Sequence, residues 1–196
     1  GTLTITPADA DDLGLSADDY SGVYDGTPHS ITAEATVTEG TTLYYTTTAP
    51  TEGEDGTLDY SEITDWSTEN PAYTDVAGTP VTVYVKAEND NYNTAYASAT
   101  VTINPKAVTV KANDVTKTYD GQPAELNGAN VTGLLGSDTV TYNVTFDVED
   151  ITNVQTTANA IIASGEVTQG NYSVTYQNGT LTITPADADD LGLSAD

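Results

Sequence analysis

The only histidine of the chain, His29, stands beside Ser30 among 30 aspartates and glutamates, so a Ser-His-Asp relay is available by composition. Spacing speaks against it. Adjacent residues of a strand point to opposite faces, whereas a nucleophile and its base must face each other with an orienting acid behind the ring. His29 therefore reads as a turn residue whose ring packs or caps locally. Carboxylate pairs are too abundant for any one of them to mark a site, and no catalytic or cofactor-binding residue is assigned. Trp66 and the 13 tyrosines can either stack on pyranose faces or fill a core. Trp66, followed by a proline-containing loop into Tyr73, reads as core filler. Glu52, Glu54, Asp55, Asp59, Glu62, Asp65 and Glu69 crowd one polar stretch, the one long loop that a rigid scaffold presents for recognition. A lysine-to-asparagine cross-link needs a buried amine, and only Lys86, Lys106, Lys111 and Lys117 exist. Lys86 alternates with Val85 and Ala87, and Lys111 with Val110 and Ala112, which turns both ammonium groups toward solvent. Asp9, Asp11 and Asp12, repeated as Asp187, Asp189 and Asp190, are oxygen ligands of the type calcium takes. No cage of six or more oxygens is evident around them. The cofactor expectation is none, with calcium at this aspartate-rich junction as the one candidate, and no metal ligand is assigned.

Strands must position these residues. Ile31, Ala33, Ala35 and Val37 alternate with polar neighbours, as do Val81, Val83, Val85 and Ala87, and Val140, Tyr142, Val144, Phe146 and Val148. Ala158 to Ala163 enters a further strand. Asp-Gly at 25, 55 and 120 and Asn-Gly at 127 and 178 offer the positive φ of tight turns. A net charge of −26 with no arginine repels nucleic acid and anionic membranes, so neither is expected as a partner. The 37% of hydrophobic residues still suffice for small cores. With no cysteine there is neither a disulfide nor a thiolate metal site.

Repetition organises the strands. Residues 1 to 18, GTLTITPADADDLGLSAD, recur unchanged at 179 to 196, which marks one period of a tandem array. A weaker repeat lies within it. Tyr24-Asp25-Gly26 matches Tyr119-Asp120-Gly121 at an offset of 95, and Asn91-Tyr92 matches Asn171-Tyr172 at an offset of 80, which also superposes TVTINP (100 to 105) on TLTITP (180 to 185). The two modules start alike and end alike, and the first carries about fifteen additional residues between these landmarks, around Pro50 to Asn70. Residues 1 to 7 are then a terminal strand left from a preceding repeat, 8 to 105 one domain with an acidic insertion near 50 to 70, 106 to 185 a second, and 186 to 196 a linker and the first strand of the next repeat. Thr180 to Thr184 is expected in a core ladder. Its duplicate, Thr2 to Thr6, is expected outside that site, with the ends held by packing or by another molecule.

The run DYSGVYDGTPHS (19 to 30), then Trp66, NPAYTDV (70 to 76), VTVYVKAENDNY (81 to 92) and ATVTINP (99 to 105) resembles the Ig-like repeats of long bacterial surface proteins. KAVTVKANDVTKTYDGQPAEL (106 to 126), TGLLGSDTV (132 to 140) and GNYSVTYQNGTLTITP (170 to 185) resemble the MBG or YDG type of bacterial Ig-like domain. The resemblance implies two tandem antiparallel β-sandwiches forming a rod, with no enzymatic activity. It implies a stalk or spacer in an extracellular adhesin on a bacterial cell surface, its partners being neighbouring repeats of the same chain and a host-surface ligand elsewhere in the full protein. Two alternatives are a repeated module that itself binds a glycan or host protein, and a self-assembling surface filament.

Overall fold

The computed structural model describes residues 1–187. The chain is all-β, as the alternation predicts, and divides into two compact units, Gly1–Pro105 and a second from Lys106 onward. Among the described residues the one helical element is a 3-10 turn, Ala10–Leu13.

The strands of the first unit are β1 (Leu15–Asp18), β2 (Tyr20–Val23), β3 (Thr32–Ala35), β4 (Thr42–Thr46), β5 (Thr51–Glu52), β6 (Leu58–Asp59), β7 (Val81–Glu88) and β8 (Ala95–Asn104). One sheet runs β2-β8-β7-β4, parallel at β2/β8 and antiparallel elsewhere, and β1 pairs antiparallel with β3. Period-2 alternation decides the faces. Val83, Val85, Ala99, Val101 and Ile103 point inward and pack with Ile31, Leu15, Ala17 and Ala33, so the β1/β3 pair covers the larger sheet as the second layer of a sandwich. Tyr84, Lys86 and Tyr96 have the opposite parity and lie on the outer face.

The second unit contains β9 (Lys106–Ala112), β10 (Val115–Thr118), β11 (Ala129–Thr132), β12 (Asn143–Phe146), β13 (Gln155–Ser164), β14 (Thr168–Gln169), β15 (Tyr172–Gln177) and β16 (Gly179–Thr184). Its sheets run β10-β16-β13-β12 and β11-β9-β15-β14. Val108, Val110, Ile161, Val174, Leu181 and Ile183 are each 3% exposed or less.

The double offset of the sequence recurs as geometry. Tyr20 opposes Val101 in the parallel β2/β8 ladder, and Val115 opposes Leu181 in β10/β16. The Asp19 carboxylate accepts the Thr100 N–H at 2.7 Å, and Asp114 accepts the Thr180 N–H at 2.7 Å. Tyr24 and Tyr119 donate their N–H groups to the carbonyls of Asn104 and Thr184, both at 2.8 Å. Each pair is related by 95 residues on one side and 80 on the other. The two landmarks therefore share one strand-pairing scheme.

Several expectations need correction. Asn178-Gly179 is not a positive-φ turn. Gly179 opens β16 where a Cβ would lie 2.8 Å from the Asn113 carbonyl oxygen and 2.9 Å from that of Ala112. The glycine is required because the chain changes sheets there, between β15 and β16. The equivalent Ala99 lies within the uninterrupted β8. The Val140 to Val148 strand is paired only over Asn143–Phe146. Ala158 to Ala163 does lie in a strand, β13, whose register shifts between Thr157 and Ile161 around Asn159 at φ 57°.

Thr180 to Thr184 lies in β16 and Thr2 to Thr6 lies in no ladder, as expected. Residues 1–7, however, form no strand, and nothing in the chain holds them: Leu3 is 86% and Ile5 85% exposed. A lone strand without a partner buries too little to offset its ordering cost. The chain is first pinned at Ala8, whose N–H donates to the Asn91 carbonyl at 2.8 Å and whose carbonyl accepts the Asn93 N–H at 2.8 Å. Of the expected segment 186 to 196, all but Ala186 and Asp187 lies outside the described residues.

Candidate functional site

The outer face of the β2-β8-β7-β4 sheet gathers an aromatic cluster. Register places Tyr44 of β4 opposite Lys86 of β7, and Lys86 opposite Tyr96 of β8, so three outward side chains form a row across three strands. Tyr84 lies two positions along β7. The acidic insertion then lays two more rings on this face. Tyr60 stacks on Tyr96 with centroids 4.0 Å apart and planes within 6°, and meets Tyr84 edge-on at 6.3 Å. Trp66 lies 6.3 Å from Tyr60 and 6.1 Å from Tyr96, tilted to both. The Lys86 ammonium sits 4.8 Å from the Tyr44 ring centroid and 5.0 Å from that of Trp66, and 2.9 Å from a Glu88 carboxylate oxygen.

Local chemistry fixes the insertion. Gly56 at φ 80° closes the β5/β6 hairpin, and the Asp55 carboxylate accepts the Thr57 N–H at 3.1 Å and its hydroxyl at 2.6 Å. Ile63 is buried. Asp65 accepts the hydroxyls of Thr46 at 3.0 Å and Thr48 at 2.8 Å, which hold its carboxyl below the usual carboxylate range. Ser67 and Tyr45 exchange backbone hydrogen bonds at 2.7 and 3.0 Å. Burial, with Tyr84 and Tyr96 adding to it, pushes the Tyr60 phenol up.

The expectation of Trp66 as core filler is thus overturned: it sits on the outer face, and the inward aromatics of this unit include Tyr20, Tyr24, Tyr45 and Tyr73. Sequence reasoning missed the meeting of Tyr44, Tyr60, Tyr84 and Tyr96. The available signal was parity, since Tyr84 and Lys86 alternate against Val83 and Val85. Parity does place Lys86 outward, as expected, although ring contacts leave its side chain only 16% exposed. Lys111 is exposed. Lys117 donates to the Gln122 carbonyl at 2.9 Å and pairs with Asp120 at 2.7 Å.

His29 builds a turn. Its ring stacks on Tyr20 at 4.3 Å, and Nε2 lies 3.0 Å from Asp25 Oδ1 and 3.1 Å from the Thr27 hydroxyl. Asp25 also accepts the Thr27 N–H at 2.9 Å and hydroxyl at 2.7 Å. These donors, with Thr27 foremost, hold the Asp25 carboxyl at about 2. A group ionised across the whole neutral range cannot donate a proton there, so the arrangement closes a turn. Asp120 takes the same place in the second unit, accepting the Gln122 N–H at 2.9 Å, with Gly121 at φ 75°. The candidate calcium ligands Asp9, Asp11 and Asp12 flank the 3-10 turn. Asp189 and Asp190 lie outside the described residues. Among the described residues no three His, Cys, Asp or Glu side chains are grouped to hold a metal, and no helix is long and apolar enough to cross a membrane.

No curated protein matches the chain. Residues 108–182 match the MBG domain (YGX type), a non-catalytic domain type of bacterial surface proteins. The second unit, with its parallel β10/β16 pairing and its Tyr119-Asp120-Gly121 turn, is therefore an MBG-type surface-protein repeat module, as the sequence resemblance implied.

Proposed function

We propose that the chain is a spacer repeat of an extracellular bacterial adhesin, in which units of this kind carry tension and hold a distal binding region away from the cell. The observation that carries this reading is the parallel pairing of early and late strands in both units: β2 with β8, and β10 with β16. A unit pulled from its two ends loads such a ladder in shear, so its hydrogen bonds must fail together rather than one at a time. The unchanged recurrence of 18 residues supports serial repetition. Each sandwich spans roughly 35 to 45 Å at about 3.3 Å per strand residue plus end loops, so one period contributes about 8 nm. Small-angle scattering of one, two and three linked periods tests this. A maximum dimension growing by about 8 nm per period is expected, and a compact particle overturns the reading.

A second reading has its own support. The exposed edge of the Tyr60/Tyr96/Trp66 cluster, beside Lys86 and Glu88, offers ring faces and polar groups suited to a neutral sugar. Glycan-array binding that is lost in Trp66→Ala, in a folded protein, favours it.

A further inference from the structure

We infer that Gly1–Thr6 is a donor strand for the second unit of another copy of this chain. The slot is the position of β16, between β10 and β13. Its demands are specific. At its entrance no side chain fits, because a Cβ on Gly179 meets the Asn113 and Ala112 carbonyl oxygens. Leu181 and Ile183 fill the core at 0 and 1% exposure. Thr180 donates its N–H to the Asp114 carboxylate, and the Thr184 carbonyl accepts the Tyr119 N–H. Gly1, Thr2, Leu3, Thr4, Ile5 and Thr6 meet every demand in order, since they repeat Gly179 to Thr184 residue for residue.

The same segment is at present unpaired and exposes both of its large apolar side chains. Its nearest relative in the chain, Ala99 to Asn104, carries a Cβ where the slot admits none, and it is already paired on both sides within its own sheet. The tail is rooted at Ala8 beside Asn91 and Asn93, ahead of the ten-residue β8, whereas the chain leaves the first unit after Asn104. That strand is about 33 Å long, and seven residues reach at most about 25 Å, which favours a second copy over the same chain as acceptor. Insertion of a strand from another molecule adds main-chain pairing on both sides and seats alternate side chains in the core. Here the donor and the resident strand are identical, so exchange conserves every contact.

Full-length variants test this. In L181D/I183D the resident strand is disabled and the tail intact; light scattering should show at least twice the monomer mass, rising with concentration, with the second unit's core protected from hydrogen exchange. Adding L3D/I5D should return the protein to a monomer and abolish that protection. A monomer with its second unit folded would place the tail in its own chain and overturn the inference. An unfolded second unit in both variants would do so too, unless aspartate itself blocks folding, which a cysteine pair decides. Thr182 opposes Thr116, so Thr4 of a donor would as well. T4C/T116C, unfolded and refolded at high concentration and then oxidised in this cysteine-free chain, should give a ladder of linked multimers. Monomers alone overturn the inference.

Discussion

At the residue scale, short aspartate turns and one glycine do much of the specifying. The Asp25 carboxyl is held at about 2 by the Thr27 hydroxyl and N–H and by His29. A carboxyl depressed in the folded state contributes stability that is complete above its unfolded value near 3.9 and is lost as pH falls through the folded one. The melting-temperature gap between wild type and Asp25→Asn should therefore narrow between about pH 4 and 2, and the Asp25 carboxyl should titrate by NMR near 2; a midpoint near 4 contradicts the turn geometry. Gly179→Ala pushes a methyl into two backbone carbonyls, and overpacking of this kind costs about 1–3 kcal/mol. Ala99→Gly in the first unit should cost only about 0.5–1 kcal/mol, the loss typical of glycine within a strand. Chemical denaturation of both variants checks the contrast. The Asp-Gly turns were legible because positive φ is a property of the dipeptide itself, and Gly26, Gly56 and Gly121 lie at φ 75 to 80°. Gly179 was not, because its reason is a carbonyl contributed by a strand nearly seventy residues earlier.

Among the elements, the insertion is informative. It reads in sequence as a solvated acidic loop, yet it lies against the sheet through Tyr60, Ile63, Asp65, Trp66 and Ser67. Alternation reveals that Tyr84 and Lys86 face away from the core. It cannot reveal that a hairpin some twenty-five residues upstream will fold over them, because that depends on cross-strand register. If Tyr60 and Tyr96 are stacked partners, a double-mutant cycle with alanine should give a coupling of about 0.5–1.5 kcal/mol, the range for aromatic pairs. A coupling near zero would mean that the insertion stands free. Trp66→Ala should also raise proteolysis within residues 51 to 66 while leaving the second unit as resistant as before. The internal repeat was the most legible feature at this scale, since the 95 and 80 offsets reappear in paired ladders and paired hydrogen bonds.

For the whole molecule, each unit has its own buried strands, so calorimetry should resolve two transitions, and Ala8 to Pro105 and Lys106 to Pro185 should each fold alone. With a net charge of −26, self-repulsion should be relieved by salt, raising both melting temperatures. Calcium and magnesium should act equally at matched ionic strength; a larger shift with calcium would reveal a specific site at Asp9, Asp11 and Asp12. The central claim is mechanical: two separately folded units in series, each clamped by a parallel ladder. Force spectroscopy on linked periods tests it most directly. At about 3.6 Å per extended residue, the account predicts two kinds of unfolding step in equal number, releasing about 31 nm for the first unit and about 25 nm for the second. One combined step per period, or extension without resolved steps, would contradict it.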